Sequence, residues 1–233
     1  MNTTRRALCL LAAGAAVALQ AAAAQTAPRL PAVVVWDFDN QTVAALSAVP
    51  RNQADWLQRT LSESLVSALL QTPGQTVVDR LRLQEVLAEQ KLASGSLADE
   101  NTRLRLGRIA GAERMVFGGF FVVGDAVQVN VRVVDTGSSR VLFSEEQTAP
   151  LAEVMQQQPA LAARVAQALG GRGAALADHP AAVWQAHDRA LALADAGQLD
   201  EAVAALQQLL QARPGFEPAE RLLGAVLQKM ARR

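Results

Sequence analysis

The chain has 233 residues, 51% of them hydrophobic and 19% charged, with a formal net charge of zero. This composition suits a globular protein of one medium domain plus a small one and excludes a disordered chain. The balance also excludes the basic footprint of a nucleic-acid binder and the polybasic patch of a membrane-surface protein.

Arg5 and Arg6 precede an apolar run over residues 7–19 and the small residues 21–24. A charged start, an apolar middle and a small-residue site predict that residues 1–24 are a signal peptide cut after Ala24, leaving a periplasmic chain. The run is too short to span a membrane comfortably, and Gln20 interrupts it. The paired arginines fit either the general or the twin-arginine export route. Cys9, the single cysteine, lies inside the run and leaves with it. A lipoprotein cysteine would directly follow the run. The mature chain then has no disulfide and no catalytic thiol.

Residues 32–36 are continuously apolar, which predicts a strand covered on both faces. Asp37, Phe38, Asp39 and Asn40 close it in a turn whose Asp39 and Asn40 bond to backbone amides. Leu57, Leu61, Leu65 and Leu69 recur every four residues, predicting a helix over 53–70 that Pro73 and Gly74 stop. Residues 75–79 form a second strand. Strand, helix, strand predicts parallel pairing through a right-handed crossover.

From Arg80 the period becomes helical, with Leu83, Val86 and Leu87 on one face, until the loop 93–97. Asp99 is placed to cap the next helix, whose apolar side carries Leu106, Ile109 and Ala110 and whose end is Gly111. Val127, Val129, Val131 and Val133 then alternate with other residues at period two. Strands over 115–123, 126–135 and 140–147 form an antiparallel meander with turns at Gly124-Asp125 and 136–139. Gly118 and Gly119 predict a bulge or a close backbone approach. Residues 151–169 are mostly helical, with a break or fresh start at Pro159.

The domain runs over 32–169, a linker over 170–180 and a helical region over 181–233. In the last, helices over 181–196, 199–212 and 217–230 follow at short, antiparallel connections. The fold class is α/β (mixed α+β): a mixed parallel and antiparallel sheet flanked by helices, with a small C-terminal helical hairpin and a capping helix.

Several pieces in order resemble the family of the curli secretion component (CsgG-like), with relatives among penicillin-binding-protein activators, flagellar FlgO-type proteins and the TolB N-terminal domain. They are the strand opening at Val33 and ending at Phe38, Val77-Val78-Asp79-Arg80 with Glu85 to Gln90, Leu106 to Ala112, Val116 to Gly119, and Val131 to Gly137. The resemblance implies a non-enzymatic envelope protein that works by binding other proteins. Candidate processes are peptidoglycan synthase activation, secretion or surface-fibre assembly, and flagellar or outer-membrane assembly. Many relatives are lipoproteins, and the secretion member inserts long amphipathic hairpins into a pore. The connections here are short, so a ring-forming outer-membrane channel is the lesser alternative.

Residues 182–214 resemble one tetratricopeptide repeat. Ala190 sits at the small packing position, Gly197 ends the first helix and Pro214 closes the unit. Arg189 stands where an apolar residue is usual, and Trp184 lies two places before the usual tryptophan position. One repeat cannot bury its own faces, so this region should pack on the first domain, a twin subunit or a partner.

An apolar strand ending in Asp37-x-Asp39 invites comparison with the magnesium-dependent haloacid-dehalogenase phosphatases, where one carboxylate attacks and the other moves the proton. Both carboxylates fall on one side of a strand. However, Thr42 is one place too far along, and no acidic pair follows a later parallel strand. The strand-terminal turn is the favoured reading. His179 and His187 lack metal-ligand spacing, and His187 is expected on a helix surface. Ser62, Ser64 and Ser67 have no nucleophile-elbow context and are expected as solvated helix positions. No cofactor is expected. Partner contacts are expected from Lys91, Ser94, Gly95 and Ser96 beyond the central strand, and from Trp184 and Arg189 in the tail.

Overall fold

The computed structural model describes residues 30–78, 100–173 and 177–232. Most of the strand-to-helix stretch beginning at Val77 lies outside them, as does Asp99.

The sheet is built on β3 (Arg114–Val123). Strand β1 (Val33–Val35) pairs parallel with its start and β2 (Asp39–Asn40) parallel with its middle, Val33 facing Arg114 and Asp39 facing Gly119. Ser47 bridges Gly124 beyond them. On the other side of β1, Val33 N–H donates to Thr76 O at 2.9 Å and Val78 N–H to Val33 O at 2.8 Å, a parallel contact. This is the pairing that the strand–helix–strand order predicts. Strands β4 (Ala126–Asp135) and β5 (Val141–Pro150) continue the sheet antiparallel in the order β1-β3-β4-β5. The predicted mixed α/β class is the observed one.

Alternation in β4 buries Val127, Val129, Val131 and Val133 under one face. Helices α1 (Trp56–Leu70) and α3 (Gln158–Ala168) cover that face. Leu57, Leu61, Leu65 and Leu69 of α1 are fully buried, each worth about 1.5–3 kcal/mol of apolar transfer. Helix α2 (Glu100–Ile109) covers the other face, packing Leu106 with Val34, Trp36, Met115 and Phe117. Strand β1 therefore has apolar neighbours on both faces, which is why its sequence does not alternate. Gly111 ends α2 at φ +84°, a conformation that a side chain would strain.

Three local expectations need correction, and the alternative left open at Gly118 and Gly119 is decided. The first helix starts as a 3-10 turn (Arg51–Ala54) and becomes α-helical only at Trp56. Strand β5 runs on to Pro150. Asp39 and Asn40 pair with β3 rather than forming only a turn. The register shift lies between Val133 and Val134, opposite β5, and not at the two glycines. Gly118 instead provides the close approach: a Cβ there would sit 2.0 Å from Cε1 of Phe38.

The tail is α4 (Ala181–Asp195), α5 (Leu199–Ala212) and α6 (Glu217–Ala231). It packs on α1 through α4 and α6, and a single apolar cluster runs from Leu61 through Trp184 to Phe216. Polar contacts fix the docking. Arg59 Nε donates to Asp188 Oδ1 at 2.7 Å, Arg221 Nη2 to Ser67 Oγ at 3.0 Å, and Gln71 Nε2 to Glu217 Oε2 at 2.7 Å. Asp188→Ala leaves a half-buried guanidinium without its main partner, so urea unfolding should show a loss of about 1.5–3 kcal/mol. A loss below ~0.5 kcal/mol would mean that apolar packing alone holds the tail.

Candidate binding site

The carboxyl end of β1 carries the acidic residues that suggested chemistry. The Asp39 carboxylate accepts from Arg103 Nη2 at 2.9 Å, and Asp37 Oδ1 lies 3.1 Å from the Ser62 hydroxyl. Asn40 does the turn's work: its Oδ1 accepts from Thr42 N–H at 3.0 Å and its amide donates to Asp55 at 2.8 Å. Asp39 thus bonds a side chain, where a backbone amide was expected. A positive charge already occupies the second carboxylate, and the first is turned toward a hydroxyl. No group of three or more metal-ligating side chains occurs among the described residues.

Two burial expectations are overturned. Ser62, Ser64 and Ser67 are buried because α1 has neighbours on the sheet side, on α3 and on α6. Their hydroxyls are satisfied locally: Ser62 and Ser64 donate to carbonyls three residues back, at 2.8 and 2.9 Å. His187 is also buried, because α4 is enclosed by α1, α5 and α6. Its ring stands edge-on to Trp184 and Phe216, with centroids 6.2 and 5.8 Å away. His179 packs on Phe216 at 4.7 Å, and burial lowers its pKa below the ordinary value.

Between the β1 end, α1, α4 and α6 lies a cavity of about 410 Å³. Its walls are mostly apolar, including Val35, Val66, Leu70, Leu222 and Ala225. The charges around it are largely matched: Asp39 with Arg103, Glu63 with Arg221 at 3.4 Å, and Asp195 with Arg59 at 3.7 Å. Lys229, exposed at the rim, makes no ion pair among the described residues. The buried indole N–H of Trp36, in the wall, meets no acceptor among them. A second, smaller pocket of about 230 Å³ on the α2 face of the sheet is polar, with Asp39, Glu100, Arg103 and Arg132 around Phe117.

The far side of the sheet ends in β5. Leu151 N–H donates to Asp125 O at 2.9 Å, and stepping back two residues along the register puts the backbone groups of Ala149, Gln147, Glu145 and Phe143 toward β4. Those of Thr148, Glu146 and Ser144 therefore point outward, and nothing among the described residues pairs with them. Arg164 of α3 holds Glu145 at 2.7 Å, while Glu146 is exposed. Val141 and Leu142, at the start of the strand, are 51% and 44% exposed.

Of the contact positions expected from sequence, Arg189 is exposed on α4 and Trp184 is buried, 5% exposed, against His179, His187 and Phe216. The structure does not bring these two together at one surface. Lys91, Ser94, Gly95 and Ser96 lie outside the described residues. The β5 edge was announced by the strand's position last in the meander. The cavity had no sequence signal, since its walls come from four separated elements.

The family model for "Curli production assembly/transport component CsgG" matches residues 14–122, just under half of the chain. The resemblance carried by the pieces from Val33 to Gly119 is therefore found by direct comparison, and the piece from Val131 to Gly137 lies beyond the match. No curated protein matches the chain. Among solved structures, the LpoB C-terminal domain from Salmonella enterica is 16% identical over 55% of this chain and 87% of that one, with TM-score 0.42. Lipoprotein GNA1162 from Neisseria meningitidis is 15% identical over 59% and 95%, with TM-score 0.43. TolB from Acinetobacter baumannii is 14% identical over 63% and 31%, with TM-score 0.39. Among the described residues, no helix is long and apolar enough to cross a membrane.

Proposed function

We propose, from the match of residues 14–122 to the curli assembly and transport family, that this chain is a non-enzymatic periplasmic envelope protein that binds other proteins. Its candidate processes are peptidoglycan synthase activation, secretion or surface-fibre assembly, and flagellar or outer-membrane assembly. The observation that carries the reading is the edge of β5, unpaired among the described residues, with outward amides and carbonyls at Ser144, Glu146 and Thr148. Such an edge accepts an extended partner strand through main-chain bonds. Arg189, exposed on α4, and Lys91 with the loop from Ser94 to Ser96 are further proposed contacts.

Photo-crosslinking in intact cells, from a reactive residue placed at Thr148, should capture an envelope protein. Glu146→Pro removes an outward N–H and no bond to β4, so it should cut that capture about tenfold while shifting unfolding by less than ~1 kcal/mol. Undiminished capture would remove the edge from the binding surface. The phosphatase alternative fares worse, because Arg103 holds Asp39. Magnesium-dependent hydrolysis of a chromogenic phosphate that Asp37→Asn abolishes would restore it.

A further inference from the structure

We propose that the cavity between the β1 end, α1, α4 and α6 binds a single-chain amphiphile with an anionic head. Its volume, about 410 Å³, falls in the range of small-molecule pockets, roughly 300–1,000 Å³. Such pockets are mainly apolar with a few convergent polar groups, and this one has that make-up. Val35, Val66 and Leu222 are only half-buried and Leu70 is 43% exposed, so apolar surface is open on its wall. An aliphatic chain would remove that surface from water.

The head group follows from what the wall leaves over. Arg103, Arg221 and Arg59 neutralise Asp39, Glu63 and Asp195, and Asp37 faces the Ser62 hydroxyl. Among the described residues, the Lys229 ammonium makes no ion pair and the buried Trp36 indole N–H meets no acceptor. Both are donors only. A ligand whose polar end accepts hydrogen bonds and carries negative charge fits them, and an ammonium head does not. Lys229 lies in the last turn of α6, where its stem lines the cavity and its charge reaches solvent. A free fatty acid and a monoacyl phospholipid share this chemistry.

The test is calorimetric titration of the purified protein with dodecanoate, dodecanol, dodecylamine and lysophosphatidylglycerol, all below micelle formation. Dodecanoate should bind saturably at one site. Ala225→Trp and Val66→Trp, which fill the cavity from two different helices, should each weaken it about tenfold or more. Circular dichroism identifies a variant that fails to fold, and the other then decides. Lys229→Gln should weaken dodecanoate about fivefold and leave dodecanol within about twofold. Tighter binding of lysophosphatidylglycerol than dodecanoate identifies the phospholipid source, and the reverse order the free acid. No saturable binding, tighter dodecylamine than dodecanoate, or tryptophan variants that bind like the parent would overturn the proposal. Since the cavity lies across the sheet from β5, these outcomes are independent of Glu146→Pro.

Discussion

Gly118→Ala should destabilise the protein by about 3 kcal/mol or more, measured by urea unfolding. Gly118 lies in the middle of β3, paired with Val131. A Cβ there would stand 2.0–2.3 Å from three atoms of the Phe38 ring. That ring is 1% exposed and belongs to the main core, so it cannot swing into solvent. The strain must be taken by β3 or by the chain between β1 and β2. Phe38→Ala alone should cost about 3–5 kcal/mol through the cavity it leaves. The double variant should be more stable than the summed losses predict by more than ~1 kcal/mol, because removing the ring removes the clash. Additivity within ~0.5 kcal/mol would mean that the glycine is required for a reason other than Phe38.

Phe216→Ala should cost about 3–5 kcal/mol. Phe216 sits between α5 and α6 and is fully buried. Its ring meets Trp184 at 5.0 Å and 83°, His179 at 4.7 Å and 72°, and His187 at 5.8 Å and 88°. These edge-on arrangements add about 0.5–1.5 kcal/mol per aromatic pair beyond area burial. Because the cluster continues into α1, the loss should appear as one cooperative transition at lower urea. The near-ultraviolet signal should fade together with the far-ultraviolet one. Two separated transitions would show that the tail unfolds on its own, and that its contacts with α1 contribute little.

The periodic signals were the legible ones. The four-residue spacing of Leu57 to Leu69 gave α1, the alternation of Val127 to Val133 gave β4 with its observed bounds, and Pro159 marked the start of α3. What failed had a common origin in tertiary contact. Serines on a helix read as solvent-facing, yet Ser62, Ser64 and Ser67 are enclosed on three sides. His187 was misplaced for the same reason, since local pattern does not say how many neighbours a helix has. Asp39 and Asn40 pair with β3 because a neighbouring strand was available, and no local propensity announces that. The cavity was invisible since four elements distant in sequence supply its walls. The edge at β5 was legible in part: its end was placed three residues early, at Gln147 instead of Pro150, but its place in the meander followed from the turns.

The seam between α1 and α6 has a bearing on the order in which the chain folds. Its residues are Glu63 and Ser67 on α1 and Gln71 at its C-cap, one turn apart, and they meet Arg221 and Glu217, also one turn apart. Water can serve these three side chains as well as α6 can. The sheet with α1 and α3 can therefore settle while this polar row on α1 is still wet. When α6 is synthesised, it replaces water with matched polar groups in one alignment, and a shift by one turn would leave Arg221 and Glu217 opposite the wrong residues. The seam thus acts as a key for register during assembly, more than as a source of strength afterwards.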